Sequence, residues 1–377
     1  MIPVPLNAYV ISTLAAILAV FIYVASDVMG LFPSKNKFPV EGRTVVLTGG
    51  SQGMGKGLGK LLAQKGANLI IVARNKEKLE AALKEISAEA KSPTQRFHYI
   101  SADVTIPDEN TRVLTEATAW NNDQPPDIVW ANAGSAHPHL FADTPITTLR
   151  SQMDINYWGA AYLSHAALNL FLSPRSSPSS SSATSSSPRH IIMTSSAAAF
   201  VGLAGYAPYS PCKAAMRNLA DALRNEVNLY NGARRQSPHP QLPSPSSPSH
   251  TTRISDRDIQ IHIVLPGTIL SPGFEQENKV KHPVTRILEE DDPVQTEEQV
   301  ALAAIRGLEQ GKFMVTTQWL VGLLRAGMLG GSPRENVVVD TIFAWVVSLV
   351  WLFMGPDLER KVWDFGRKNG VGGGEGR

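Results

Sequence analysis

Thr44-Val45-Val46-Leu47-Thr48-Gly49-Gly50-Ser51-Gln52-Gly53-Met54-Gly55 opens on a short apolar run and closes on glycines that lead into a helical pattern over 54–65. A continuous apolar strand suits a parallel sheet buried on both faces. Glycines let the backbone come close to an anion, and the first N–H groups of a helix face it unpaired. Strand, glycine turn and helix start together predict a pyrophosphate-binding turn made by Gly49, Ser51, Gln52, Gly53 and Gly55. The spacing is Gly-x-x-x-Gly-x-Gly, not the Gly-x-Gly-x-x-Gly of many dinucleotide folds.

Outward from this stretch the alternation continues. Strands are expected at 68–72, 97–100, 128–130, 191–194 and 259–265, with helices between them such as 76–90. This rhythm is that of a parallel sheet with crossover helices. After the second strand the chain reads Val72-Ala73-Arg74-Asn75. An acid there would hydrogen-bond the ribose hydroxyls of NAD, and none is present. Arg74 instead offers a guanidinium fork to a 2′-phosphate, so NADPH is the expected cofactor. Asp103 follows the third strand and Asn132-Ala133-Gly134 the fourth, at the strand ends where open sheets bind ligands. Asp103 is placed to accept from adenine N6, and Asn132 and Gly134 to support the turn and the cofactor. Taken singly, each also fits ordinary turn chemistry.

Ser195-Ser196 ends the fifth strand, and Tyr206-Ala207-Pro208-Tyr209-Ser210-Pro211-Cys212-Lys213 follows. Tyr209 and Lys213 are four apart and share a face if helical. A lysine cation beside a phenol favours phenolate and lowers its pKa, giving a proton donor near neutral pH. Tyr206 is a rival phenol, but it lies seven residues from Lys213 and loses the shared face.

The glycine motif, Asn132-Ala133-Gly134, the serine pair and Tyr-x-x-x-Lys occur in one order across roughly residues 42–311, and this pattern resembles the short-chain dehydrogenase/reductase family. The resemblance implies a Rossmann-type, doubly wound α/β fold and four catalytic residues. Tyr209 would protonate a carbonyl oxygen. Lys213 would hold the nicotinamide ribose and depress the tyrosine. Ser196 (Ser195 as fallback) would bind the carbonyl, and Asn156, in Asp154-Ile155-Asn156-Tyr157, would support a water-linked proton relay. The family often pairs through helices flanking these residues, so a homo-oligomer is a further implication. The loop Pro266-Gly267-Thr268, then Ser271 to Asn278, with the later Glu298-Gln299-Val300-Ala301, is similar to that of the family's 3-ketosphinganine reductases. That similarity implies a long-chain keto sphingoid base as substrate, reduced at the cytoplasmic face of the endoplasmic reticulum. Glu275 and Glu277 are candidates to attract its amino group, and exposed loop acids are the plain alternative. Two rival readings share part of the pattern: a membrane-bound steroid or retinoid reductase, and a non-catalytic lipid- or nucleotide-binding scaffold.

The ends of the chain point to a membrane. No charge occurs from Met1 to Ser26, and an apolar stretch of roughly twenty residues can span a bilayer. Residues 1–32 are therefore expected to form an anchor, with Lys35 and Lys37 placing the following domain in the cytoplasm. The reductase domain is expected over 40–311, interrupted by Ser/Pro-rich insertions near 173–190 and 236–254 that cannot form a core. Residues 312–377 form an apolar C-terminal region expected to associate with lipid; Thr341–Gly355 is uncharged but short for a span. Formal net charge is +2, from 35 basic and 33 acidic side chains, which gives no electrostatic case for nucleic acid. The single cysteine, Cys212, excludes an internal disulfide and a cysteine-rich metal site, and no metal is expected.

Overall fold

The computed structural model describes residues 35–173, 187–236 and 255–371. The expected anchor at 1–32 and the bulk of both Ser/Pro-rich stretches, 174–186 and 237–254, lie outside the described residues. In chain order the main elements are β1 (Thr44–Thr48), α1 (Gly53–Gln64), β2 (Asn68–Ala73), α2 (Lys76–Ala88), β3 (Phe97–Ser101) and α3 (Pro107–Trp120). Then come β4 (Ile128–Ala131), α4 (Ile146–Met153), a π-helical turn (Asp154–Trp158), α5 (Gly159–Leu172), β5 (Arg189–Thr194), a 3₁₀ turn (Ala197–Ala199) and α6 (Ser210–Gln236). The remainder is β6 (Ile259–Leu265), β7 (Thr268–Ile269), α7 (Pro272–Val280), α8 (Pro283–Leu288), β8 (Val294–Gln295), α9 (Glu297–Glu309), β9 (Met314–Thr316), α10 (Trp319–Gly327) and α11 (Val337–Asn369).

Seven strands form one parallel sheet in the order β3-β2-β1-β4-β5-β6-β9. Strand side chains alternate between two cores. Val46, Ile70, Val129, Ile191 and Ile263 face α3, α5 and α6 on one side, against Val113, Leu163, Phe171 and Met216. Val45, Leu69, Ile71, Trp130 and Val264 face α1, α2 and α9 on the other, against Leu58, Leu62, Ile86 and Ile305. Burial on both faces explains why the strands read as unbroken apolar runs. The order reverses between β1 and β4, which opens a crevice beyond the strand ends at this switch point.

Two features differ from the sequence reading. The unit does not end at 311, because β9 pairs with β6 as a seventh strand and α10 buries Val321, Arg325 and Ala326 behind it. The apolar stretch from 313 to 328 thus belongs to the globular unit. Farther on, the uncharged 341–355 is the middle of a longer helix. α11 has 33 residues, about 50 Å at 1.5 Å each, and is apolar enough to cross a membrane. Its first turn is held by a buried ion pair between Arg325 and Asp340, 2.5 Å apart.

Candidate active site

The glycine turn lies beyond β1, and its shape is imposed by close approaches. Gly49 (φ +69°) and Gly53 (φ +58°) are left-handed, where a side chain would be strained. A Cβ at Gly55 would stand 2.0 Å from the Gly49 carbonyl oxygen, so only glycine permits this turn. Gln52 precedes α1 without capping it by its side chain, and the first turn carries no acid. Free N–H groups at an uncapped helix start, with the positive end of the helix dipole, suit a phosphate. Ser51 and Gln52 are partly exposed on the outer edge of the turn.

Arg74 follows β2 and is exposed, and its guanidinium makes no hydrogen bond or ion pair among the described residues. Lys78, one turn into α2, reaches Gln52 Oε1 at 3.3 Å. It brings a second cation to this end of the crevice. The sequence reading passed over it, because a lysine on an exposed helix face is indistinguishable from a solvated one until the glycine turn is folded against it. Asp103 accepts from the N–H and the hydroxyl of Thr105 through Oδ1, at 3.0 and 2.8 Å, so one of its oxygens is committed to its own turn.

Asn132 ties three strand ends together. Its N–H donates to Thr48 Oγ1 at 3.0 Å, and its Oδ1 accepts from Thr194 Oγ1 at 3.0 Å. Gly134 brings the chain against the inner end of the crevice: a Cβ there would stand 2.9 Å from Asn156 Oδ1 and 3.3 Å from Lys213 Nζ. The missing side chain lets the Asn156 amide and the Lys213 ammonium pack close against this loop. Asn156 sits in the π-helical turn, fully buried, donating to Ser135 O at 2.8 Å and accepting from Ser135 N–H at 3.2 Å. Local π-helical widening is common at functional positions. Here it carries Asn156 to the loop after Gly134.

The two serines separate cleanly. Ser195 is buried and donates to the Lys213 carbonyl at 2.9 Å, a structural role. Ser196 caps the 3₁₀ turn, accepting from Ala198 N–H at 3.2 Å, and its hydroxyl lies close enough to the Tyr209 phenol to pull the phenol's pKa down. Tyr209 stands immediately before α6, not within it. The shared face survives, with Lys213 Nζ 5.5 Å from the Tyr209 ring centroid. Lys213 itself donates to the Thr194 carbonyl at 3.1 Å.

The electrostatics correct one expectation. Burial pushes the Tyr209 phenol well above its usual value, the nearby Glu277 carboxylate pushes it further, and the neighbouring Ser196 hydroxyl pulls the other way. Lys213 does not offset this. Its ammonium lies over the ring and points at a carbonyl, and burial lowers it to about 8. Tyr206 is likewise raised by burial and by the neighbouring Glu289 carboxylate, and Lys281 rather than Lys213 lies over its ring.

A lobe of α7 and α8 covers this end. Lys281 is buried and pairs with Glu289 at 2.5 Å. Glu275 is exposed, whereas Glu277 is half-buried and near enough to perturb both Tyr209 and Lys213. Burial, with the adjacent Glu289 charge, raises the Glu277 carboxyl to about 7. Among the described residues Glu277 has no hydrogen-bond or ion-pair partner. Such an arrangement can give a proton from a phenol to an oxygen held by Ser196, beside a carboxylate able to receive a cation.

A profile of the short chain dehydrogenase family matches residues 43–233. The chain is 47% identical over 337 residues to the 3-ketodihydrosphingosine reductase of Aspergillus fumigatus, covering 89% of this chain and 88% of that one. Against the 3-ketodihydrosphingosine reductase of Neurospora crassa it is 43% identical over 344 residues, 91% and 87% of the two chains. Among solved structures, a short-chain dehydrogenase/reductase of Burkholderia phymatum in complex with NAD superimposes with a TM-score of 0.58 at 14% identity, over 79% of this chain and 98% of that one.

Proposed function

Because the chain belongs to the short-chain dehydrogenase family, we propose that it is an oxidoreductase that reduces 3-ketosphinganine to sphinganine with NADPH. The observation that carries the proposal is the Lys213 ammonium lying between Gly134 and the Tyr209 ring, with the Ser196 hydroxyl near enough to perturb the phenol. NADPH, when bound, supplies hydride to the carbonyl carbon. The glycine turn Gly49–Gly55 and the start of α1 would receive its pyrophosphate, with Arg74 and Lys78 for a 2′-phosphate and Gly134 and Lys213 for the nicotinamide riboside. Ser196 would hold the ketone oxygen while Tyr209 gives it a proton, so that the carbonyl becomes a secondary alcohol and Tyr209 is left as phenolate. Lys213 would stabilise that phenolate, and Asn156 would hold the water through which the proton is restored. Relatives carrying the printed name 3-ketodihydrosphingosine reductase at 47% and 43% identity support the substrate. Glu277 fits the same reading, as the carboxylate facing the substrate's ammonium group.

α11 supports work at a membrane. Trp345, Leu349, Leu352 and Phe353 are 69%, 63%, 66% and 78% exposed, and helices that hide such surface in lipid gain what they would lose in water. We place the enzyme on the endoplasmic reticulum membrane with its catalytic domain in the cytoplasm. Membranes carrying the chain should oxidise NADPH on addition of 3-ketosphinganine, faster than NADH and faster than with steroid or retinal carbonyls. Absence of turnover on the sphingoid ketone removes the proposal.

A further inference from the structure

A single-chain lipid whose ketone lies at Tyr209 has to lead its alkyl tail away from the crevice. The segment between the 3₁₀ turn and Tyr206, Phe200-Val201-Gly202-Leu203-Ala204-Gly205, carries no charge. With Ala198, Tyr206 and Ser210, the residue next to Tyr209 in the chain, it lines a recess of about 310 Å³. The same loop also borders an open groove of about 420 Å³, lined by Val201 and Leu203 with Leu288 of α8 and Trp351, Leu358 and Val362 of α11. That volume lies within the range of small-molecule pockets. Glu359, the charged member of the lining, is exposed.

The walls are fixed to the frame. Thr285 of α8 donates to the Ala204 carbonyl at 2.8 Å, and a Cβ at Gly205 would stand 2.0 Å from Thr285 Oγ1. The far end of α11 is tied to the same lobe, with His282 Nε2 2.8 Å from the Val371 carbonyl oxygen and its ring edge-on to Phe365. One helix thus runs from the exposed apolar surface around Leu349–Phe353 directly into the groove at Trp351–Val362, and the groove shares the 201–203 loop with the recess at Tyr206.

We propose that this groove between loop 201–204 and α11 receives the alkyl chain of the substrate. The tail passes from the bilayer along α11 to loop 201–204 without crossing water, and the polar head arrives at Tyr209. This rests on the reading of the substrate as a long-chain ketone. It makes Val201, Leu203, Leu358 and Val362 determinants of chain length.

The test compares 3-ketosphinganine with a short-chain, water-soluble homologue, using the full chain in membranes. Leu358→Gln should raise KM for the long substrate about tenfold or more, since each buried methylene contributes roughly fourfold in affinity. It should leave KM for the short homologue and the Kd for NADPH within twofold. Val201→Trp, which fills the opposite wall, should act in the same sense. Equal effects on both homologues, or none on the long one, overturn the groove assignment while leaving the function intact. A wild-type protein inactive on both homologues removes the parent reading and this one with it.

Discussion

Tyr209 illustrates how a residue can be placed by a motif and tuned by its surroundings. Its spacing to Lys213 brings ammonium and ring together, yet burial and Glu277 hold the phenol protonated far above neutral pH. The proton is thus in place before a ketone binds. A general acid works best with a pKa near the operating pH, however, so transfer depends on the Lys213 ammonium stabilising the phenolate that forms. Tyr209→Phe should lower turnover by about a hundredfold or more while NADPH still quenches protein fluorescence with an unchanged midpoint. Glu277 gives the pH dependence its sign. Its carboxyl is raised to about 7, so its negative charge is present above that pH and lost below it. KM for an amino ketone should therefore climb as pH falls from 8 to 6, and KM for the same ketone without the amine should stay flat. Glu277→Gln should make the two profiles alike; a persistent difference assigns the ammonium to another group.

At the scale of elements, the C-terminal part shows why apolar content alone misleads. Met314–Thr316 is a three-residue strand with no alternation long enough to identify, and only pairing with β6 reveals it. Neighbouring α10 and α11 are both apolar, but α10 is packed while much of α11 is exposed. The joint between them is the Arg325–Asp340 pair, with Asp340 only 1% exposed. Removing one partner of a buried pair strands the other charge, at a cost of about 3–5 kcal/mol. Arg325→Leu should loosen the start of α11, read as faster proteolysis in the 328–336 connection at unchanged NADPH affinity. Equal proteolysis would show that α11 is held by its apolar contacts alone.

Across the whole molecule, the two-faced sheet leaves some polar groups deep between its strands. His190 of β5 and His262 of β6 meet at 3.0 Å, and His262 also bonds the Lys312 carbonyl at 2.8 Å. Burial lowers both imidazoles, His262 to about 4. The unfolded chain takes up protons near pH 6.5 where the folded one does not, so this pair favours folding above that value and works against it as pH falls towards 4. For His262 alone the span corresponds to roughly 3 kcal/mol. Thermal unfolding midpoints should drop on acidification from pH 7 to 5, and less steeply in the double variant His190→Leu/His262→Leu. An identical slope would assign the acid sensitivity to carboxylates elsewhere.

Periodicity and glycine placement were sufficient for the parallel α/β sheet and the Gly49–Gly55 turn, because these depend on neighbours within a few residues along the chain. Asn132, Ser196, Tyr209 and Lys213 were picked out as a set by their resemblance to a family pattern. Contacts between distant segments are not written in local patterns. The resemblance already preferred Ser196, and folding supplies the physical reason: Ser195 is spent on the Lys213 carbonyl. Folding alone brought Lys78 to Gln52, half-buried Glu277 while leaving Glu275 exposed, and set α11 against loop 201–204. Burial, which sets the protonation of Tyr209, Lys213 and Glu277, is a property of what surrounds a residue in space, and no stretch of chain carries it by itself.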